Sequence, residues 1–256
     1  MSEHVTVQRH DKVLEIGLNR PDKKNALTTA MYAQIADTLE AAVDDAGVRV
    51  VVFSGSEACF TAGNDLMDFM NNPPADEQSP VTRFLNAIAT FPKVLVAAVN
   101  GPAVGVGTTM LLHCDLVYAG DNARLQMPFV NLALVPEAGS SLLLPELVGH
   151  RRAAELLLLG EPFDAHTARE LGLVNEVCAA GETRQRALER AAAVAGKAPE
   201  AVRLTKTLLT HGRGEAIMER MRVEGAHFGE RLRSPEAREA MQAFMERRTP
   251  DFSAFE

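Results

Sequence analysis

Two glycine-bearing loops place main-chain amides directly after predicted buried strands. One loop is residues 59–66 (CFTAGNDL) and the other is residues 100–107 (NGPAVGVG). Glycine allows the main chain to turn sharply and to approach a ligand closely. Fixed N–H groups in such a loop can stabilise an oxygen atom that gains negative charge during a reaction. Taken alone, the second loop is more typical of a plain strand-to-helix turn.

Glu137 is the acidic residue whose setting most favours proton transfer. Its sequence neighbours are mostly apolar and include Leu132, Leu134, Val135, Leu142 and Leu143. A carboxyl group with a dry environment is expected to have a raised pKa and could take up and return a proton near neutral pH. Because Glu137 also precedes a predicted helix, its charge could instead serve only the helix dipole.

The other polar candidates favour structural roles. Asp65 and Asp68 are expected to cap the helix that follows them, and His113 to form a structural hydrogen bond. Asn64 could donate or accept near a ligand or stabilise a turn. Sequence patterns argue against other chemistries: there is no Gly-x-Ser-x-Gly elbow, no His-x-x-x-His pair and no Cys-x-x-Cys spacing, so neither a serine hydrolase nor a metal site is expected.

Composition excludes several classes of protein. A formal net charge of −8 at pH 7 disfavours general nucleic-acid binding, although one phosphorylated ligand needs only a local basic spot. The apolar runs fall far short of the roughly 20 residues that span a bilayer, so no membrane association is expected. The first residues lack a basic segment followed by an apolar core, so a cytoplasmic location is expected.

The elements that would position these loops alternate between strands and helices. Hydrophobic patterns predict a hairpin over residues 5–7 and 13–18, and a helix from Thr28 to near Gly47. The remaining predicted elements of this part are strands at 48–53, 94–99 and 116–119 and a helix at 106–112. Parallel strands with crossover helices indicate a layered α/β fold with repeated β-β-α connections, whose chemistry lies at strand ends.

The last part of the chain is predicted to be helical. Residues 187–195 and a segment opened by Pro199 have helical patterns, and Ser234 followed by Pro235 marks another helix start. These patterns divide the chain into an α/β core at residues 1–197 and an α-helical C-terminal region at residues 198–256. The apolar residues Ile217, Met221 and Phe228 are hard to bury on a small domain and predict subunit contacts.

Five segments, in order and at about the family spacing, resemble the crotonase family, also called the enoyl-CoA hydratase/isomerase family. They are residues 19–27 (NRPDKKNAL), 60–66, 100–107, 114–115 (CD) and 160–174. The resemblance implies a repeated β-β-α superhelix with a helical C-terminal region, and an acyl-CoA thioester as substrate. It implies no cofactor beyond the coenzyme A of the substrate, no metal, and assembly as a homotrimer or dimer of trimers.

The resemblance also implies roles for individual residues. The main-chain amides of Ala62 and Val106 would hold the thioester oxygen, and one such donor can supply about 3 kcal/mol of transition-state stabilisation. The remaining predicted substrate contacts are Lys24, Ala26, Leu27, Asn64, Asp65, Leu66 and Gly105. Lys24, beside Lys23, could neutralise phosphates or be a solvated surface residue, and core packing explains Leu27 and Leu66 nearly as well.

The choice between hydration and isomerisation depends on carboxylates. Hydratases of the family use two glutamates, and the matching positions here are Thr109 and Phe129. Glu137 is instead similar to the catalytic glutamate of peroxisomal-type Δ3,Δ2-enoyl-CoA isomerases. We therefore predict an isomerase with a single base. The alternatives are an enoyl-CoA hydratase or another crotonase-type reaction, or a catalytically silent relative that binds CoA esters or RNA.

Overall fold

The computed structural model describes residues 3–74 and 76–255. Its strands are β1 (Val5–His10), β2 (Val13–Leu18), β3 (Val50–Ser54), β4 (Val94–Val99), β5 (Pro102–Val104), β6 (Leu116–Gly120), β7 (Arg124–Gln126), β8 (Phe163–Asp164) and β9 (Glu176–Cys178). Its α-helices are α1 (Thr29–Asp44), α2 (Leu66–Asn71), α3 (Pro80–Thr90), α4 (Val106–Thr109), α5 (Ser140–Val148), α6 (His150–Leu159), α7 (Ala165–Glu170), α8 (Thr183–Ala195), α9 (Pro199–Leu209), α10 (Gly214–Leu232) and α11 (Pro235–Glu246).

The strands form two sheets. The larger sheet has the order β1-β2-β3-β4-β6-β9, in which only β1 and β2 pair antiparallel. The smaller sheet has the order β5-β7-β8. Its strands β5 and β7 follow β4 and β6 of the larger sheet along the chain. This confirms the predicted α/β class with repeated β-β-α connections and a helical C-terminal region. It also means that the chain leaves each central strand at the same edge of the larger sheet.

Side-chain alternation along the central strands explains why helices cover both faces of the larger sheet. On β3, Val51 and Phe53 join the main core with α1 and α3, whereas Val50 and Val52 face α8. Successive strand residues point to opposite faces, so a strand that is apolar throughout must be covered twice. The buried residues of α8 that meet this second face are alanines spaced by four: Ala187, Ala191 and Ala195.

Helix α1 begins and packs as predicted. The Thr28 hydroxyl accepts a hydrogen bond from the Met31 amide at 3.3 Å and so caps the first turn. Met31, Ile35 and Leu39 form the buried stripe. The helix ends at Asp44, slightly before Gly47. Its buried face also carries Tyr32, a polar residue that reaches the site described below.

On α10, the side chains predicted to make subunit contacts pack within the same chain instead. Phe228 is 9% exposed and meets Phe69 edge-on, with ring centroids 6.0 Å apart. Ile217 and Met221 lie over Gly139. These residues therefore give no reason to expect subunit contacts. The large apolar side chains of the helical region that are exposed are instead Leu204, Leu208, Leu209, Val223, Phe244, Met245 and Phe252. None of the helices in residues 3–74 and 76–255 is both long and apolar enough to cross a membrane.

A buried carboxylate links the larger sheet to α8. Glu15 on β2 accepts hydrogen bonds from Ser54 Oγ at 2.7 Å, from Arg184 Nε and Nη2 at 2.6 Å each, and pairs with His10 Nε2 at 2.8 Å. Burial alone would raise the pKa of Glu15, but these hydrogen bonds together hold it below its ordinary value. A depressed pKa means that the folded state favours the charged form at neutral pH.

Replacing Glu15 by Gln is expected to lower the free energy of unfolding at pH 7 by about 1–3 kcal/mol, because the ion pair and at least one charged hydrogen bond are lost. The stabilisation by the carboxylate is present above its unfolded pKa, near 4.5, and disappears as the pH falls through the lower folded pKa. The difference between the two proteins should therefore shrink below pH 4.5. Urea denaturation at pH 7 and pH 4 measures it, with Glu57→Gln as an exposed control. An equal loss at both pH values would contradict this account.

Candidate active site

The two glycine loops lie side by side, as the strand order requires. Thr61 forms a parallel bridge with Ala103: the Thr61 amide donates to Pro102 O, and the Val104 amide to Thr61 O, both at 3.0 Å. Glycine is needed for this approach, because a Cβ atom on Gly107 would lie 2.5 Å from the Thr61 Cγ2 methyl. Two main-chain segments that follow different strands are thereby held in fixed register.

A third segment, residues 25–27, is tied to the first loop by a buried asparagine. The Asn25 side-chain amide donates to Cys59 O at 3.0 Å and to Phe60 O at 3.1 Å, while the Thr61 hydroxyl donates to Asn25 O at 2.7 Å. Asn25 has a left-handed φ of 54°, which asparagine tolerates better than most residues. Sequence reasoning did not assign this role, since a polar residue in a lysine-rich loop gives no sign of burial.

The amide of Ala62 is already used, so its predicted role is corrected. It donates to Lys24 O at 2.9 Å and cannot also hold a ligand oxygen. The following residue differs. In the bridge between Leu27 and Asn64, the Leu27 amide donates to Gly63 O and Leu27 O accepts from the Asp65 amide. In parallel pairing, this pattern turns the amide of Asn64 itself away from Leu27.

Asn64 and Val106 are the N–H groups best placed to receive a ligand oxygen. In residues 3–74 and 76–255, neither group donates to a protein acceptor. Val106 is the first residue of α4, where helical N–H groups lack partners within the helix. The two segments touch, since a Cβ atom on Gly63 would lie 2.7 Å from Val104 O and 4.0 Å from Gly105 N. The candidate oxygen cradle is therefore the Asn64 and Val106 pair.

Glu137 lies next to this cradle through α4. The Thr109 hydroxyl, on the same four-residue helix that begins at Val106, donates a short hydrogen bond to Glu137 Oε1. Tyr32 connects the other side: its hydroxyl donates to Asn64 Oδ1 at 2.5 Å. Burial and the nearby Glu137 charge hold the pKa of Tyr32 well above its ordinary value, so the phenol stays neutral. One carboxyl group and two free amides thus share a small region.

The environment of Glu137 suits proton exchange near neutral pH. Burial raises its pKa to about 7, the Thr109 hydrogen bond opposes that rise, and the charge of Glu224 adds to it. The direction is the one predicted from the apolar sequence around Glu137. A carboxyl group with this pKa is present in both protonation states at physiological pH, which a group that accepts and returns one proton needs.

The carboxyl groups of the first loop serve the loop itself. Asp65 accepts from Arg20 Nη1 at 2.7 Å and from the Asp68 amide at 3.1 Å, so it forms an ion pair and caps α2. Asp68 accepts from the Thr29 amide at 2.6 Å and the Thr29 hydroxyl at 2.7 Å. The predicted cap of α2 is therefore present for Asp65, whereas Asp68 lies inside α2 and binds the first residue of α1 instead. The Asp65 carboxylate is engaged within the protein, so its side chain is not available for the predicted contact with substrate.

The remaining predicted binding residues differ in accessibility. Leu27 is 2% exposed and belongs to the core, so its side chain is not available to a ligand. Lys24 is exposed, whereas Ala26, Leu66 and Gly105 are partly exposed and could meet one. At the two hydratase positions, Phe129 is buried in the core, and Thr109 is buried with its hydroxyl on Glu137.

His113 has the structural role expected of it. Its Nε2 atom lies 2.7 Å from Ala138 O, directly after Glu137. Burial lowers the pKa of His113 to about 4, so the ring is neutral at physiological pH and Nε2–H donates to the carbonyl. Among the described residues, no three His, Cys, Asp or Glu side chains are grouped so that they could hold a metal ion.

Comparison with known proteins gives consistent matches along the whole chain. A family model described as enoyl-CoA hydratase/isomerase matches residues 8–254. The chain is 36% identical to the 2,3-dehydroadipyl-CoA hydratase of Escherichia coli strain K12, covering 98% of this chain and 99% of that enzyme. It is 33% identical to the peroxisomal enoyl-CoA delta isomerase 3 of Mus musculus, covering 96% and 80% respectively. The solved structure of Pseudomonas aeruginosa OdaA has 50% identity and a TM-score of 0.93, covering 95% of this chain and 99% of that one.

Replacing Thr109 by Val should raise the pKa of Glu137 above its value of about 7, because the hydroxyl donor that favours the charged carboxylate is removed. Thr109→Ser keeps the donor and should leave the pKa near its original value. Infrared titration of the carboxyl band measures both, and subtracting the spectrum of Glu137→Gln isolates the band. A pKa in Thr109→Val equal to or below the wild-type value would show that the hydroxyl does not stabilise the charge.

Proposed function

The chain belongs to the enoyl-CoA hydratase/isomerase family, with its crotonase fold, and we propose that it is a Δ3,Δ2-enoyl-CoA isomerase with Glu137 as its single base. The family membership makes it an acyl-CoA enzyme. The isomerase reaction is supported above all by one observation: Glu137 is the carboxyl group beside the candidate oxygen cradle whose pKa lies near 7. The resemblance to a named delta isomerase agrees with this choice.

In the proposed reaction the thioester oxygen of a 3-enoyl-CoA accepts hydrogen bonds from the Asn64 and Val106 amides. Glu137 removes a proton from C2, and the electrons of that C–H bond form a double bond between C1 and C2 while the carbonyl π electrons move onto the thioester oxygen. The product is a dienolate that keeps its C3–C4 double bond until C4 is protonated, when the double bond between C2 and C3 forms. The protonated Glu137 then returns the proton to C4, which gives the 2-enoyl thioester. Preorganised amides stabilise the developing charge without reorganisation. One carboxyl group suffices because the proton is taken and returned on one face.

The hydratase reaction remains the second candidate because the 2,3-dehydroadipyl-CoA hydratase matches nearly the entire chain. Hydration by the two-glutamate route is disfavoured by Thr109 and Phe129, which provide no carboxylate. A hydratase with this site would have to activate water with Glu137 alone. Both reactions place negative charge on the thioester oxygen, but hydration adds water across C2 and C3, whereas isomerisation moves one proton from C2 to C4.

Binding of the coenzyme A portion is proposed along the loop before α1. Lys23 and Lys24 are exposed there and can neutralise phosphate groups. The Ala26 amide donates to Lys23 O, but the Ala26 carbonyl oxygen, which accepts from Arg20 Nη1 at 3.0 Å, has a second lone pair for the amino group of the adenine. Coenzyme A enters only as part of the substrate, and no other cofactor is invoked. A cytoplasmic location remains a prediction.

Assembly as a homotrimer or dimer of trimers is also proposed. Its support is the set of exposed leucines on α9: Leu204, Leu208 and Leu209 are 46%, 74% and 72% exposed. Residues of α9 are not buried within the chain, so apolar area remains for a second copy to cover. The helical C-terminal region at residues 198–256 would then carry the subunit contacts.

Glu137→Gln should lower kcat for conversion of 3-enoyl-CoA to 2-enoyl-CoA by about a hundredfold to ten-thousandfold, because an amide cannot accept the C2 proton. A spectrophotometric assay of 3-enoyl-CoA and, separately, of water addition to 2-enoyl-CoA measures both reactions. The control is Glu57→Gln, which removes an exposed carboxylate outside the candidate site. An unchanged isomerisation rate would reject Glu137 as the base.

Faster hydration than isomerisation in the wild type would favour the hydratase, and retention of RNA without turnover of either substrate would favour a silent binding protein.

Gly63→Ala tests the oxygen cradle. Gly63 has φ +87°, and an added Cβ atom would lie 2.7 Å from the carbonyl oxygen of Val104, so the two loops must separate. A displacement of about 1 Å at a catalytic donor typically costs about a hundredfold in rate, and we expect a kcat loss of that order. Gly181→Ala is the matched control, because no atom lies within 4 Å of its added Cβ. Full activity of Gly63→Ala, with the fold retained by circular dichroism, would show that the spacing of these loops is unimportant.

A further inference from the structure

Glu224 is a buried carboxylate with no part in the reaction described so far. It lies on α10, in the helical C-terminal region, and is 5% exposed. Its two oxygen atoms accept different main-chain hydrogen bonds: Oε2 from the Gly139 amide at 2.6 Å and Oε1 from the Ser141 amide at 2.9 Å. These amides belong to the start of α5, where no local side chain caps the helix. Glu224 therefore caps α5 from a distant part of the sequence.

The turn that Glu224 holds is the one that carries Glu137. Ala138 has a left-handed φ of 58°, which is uncommon for a residue with a side chain, and Gly139 follows with φ 69°. The main chain of this turn is held from several sides. The Ser140 hydroxyl donates to Glu137 O at 2.6 Å, and His113 donates to Ala138 O at 2.7 Å. Glu224 supplies the acceptors for the two amides, so the direction of Glu137 depends on α10.

Glu224 also brings negative charge close to Glu137. Within the described part of the chain, the groups that act on Glu137 are the Thr109 hydroxyl from α4, the neutral Tyr32 phenol from α1, and Glu224 from α10. His113 is neutral and contacts the turn through Ala138 O. Arg220, one turn before Glu224 on α10, donates to the Ser141 hydroxyl at 3.1 Å. A second carboxylate near Glu137 favours its protonated form, which opposes the effect of the Thr109 hydroxyl.

We propose that Glu224 is a positioning residue for the proton transfer: it fixes the turn that directs Glu137 towards the oxygen cradle, and it holds a second carboxylate near that of Glu137. This rests on the proposed function of Glu137. The C-terminal helical region would then assist catalysis through the position of Glu137, in addition to any role in assembly.

Two substitutions separate the position from the charge. Glu224→Gln removes the charge, and its amide nitrogen cannot accept the second main-chain hydrogen bond. We expect the acidic limb of the kcat–pH profile to move to lower pH by about one unit, because the like charge that favours protonated Glu137 is gone. Glu224→Asp keeps the charge but shortens the reach. We expect its acidic limb to stay near the wild-type position while kcat falls at least about tenfold.

The control and the second readout distinguish this proposal from the function on which it rests. Glu146→Gln removes an exposed carboxylate of α5 that pairs with Arg213 at 2.7 Å, and it should leave both the profile and kcat unchanged. Infrared titration of the Glu137 carboxyl needs no substrate, so it tests Glu224 even if Glu137→Gln keeps its activity. An acidic limb and a carboxyl titration that do not move in Glu224→Gln overturn the role of the charge. An unchanged kcat in Glu224→Asp overturns the role in positioning, whether or not Glu224→Gln folds.

Discussion

The parallel bridge between Thr61 and Ala103 is the contact on which the rest of the site depends. It joins the loop after β3 to the loop after β4 at the edge where the larger sheet ends. Without it, the Asn64 and Val106 amides would belong to independent loops, and no oxygen atom could be held by both. The bridge is possible because Gly107 leaves room for the Thr61 methyl group and because the Asn25 side-chain amide binds the two consecutive carbonyls of Cys59 and Phe60 just before Thr61. Backbone geometry, rather than any reactive side chain, is therefore what this fold contributes first.

The acid–base group is added to that frame by a balance of opposing effects. Desolvation and a second carboxylate favour the neutral form of Glu137, whereas the Thr109 hydroxyl favours the charged form. The pKa of about 7 is the net result of these opposing effects. Thr109 has a further effect, since it lies on α4 only one turn from Val106. The donor that tunes the base and the amide that would bind the oxygen are thus parts of one short, rigid element.

Local patterns predicted the elements of this structure better than the partners of its polar groups. The apolar runs, the helical period that begins near Thr28 and the helix start at Ser234-Pro235 were sufficient for β2, β4, α1 and α11, because these depend on neighbouring residues. The choice of Ala62 was wrong because its acceptor, Lys24 O, comes from a separate loop. Glu224 could not have been found from sequence alone, since it lies 85 residues from the amide of Gly139. The burial of Phe228 was missed for a similar reason: its partner, Phe69, is on a helix far away in sequence.

The carbonyl oxygen of Lys24 receives both the Ala62 amide and, at 3.1 Å, the Cys59 thiol. Through these hydrogen bonds, one atom connects the segment proposed to bind the nucleotide end of the substrate with the segment proposed to bind its acyl end. Both ends of a long thioester would therefore bind to one rigid unit, and not to two segments that move independently. Enzymes can use contacts with a remote, unreactive part of a substrate to improve the rate at the reacting carbon atoms. A short thioester that lacks the nucleotide would then react more slowly as well as bind more weakly, although every protein group around C2 and C4 would still be in place.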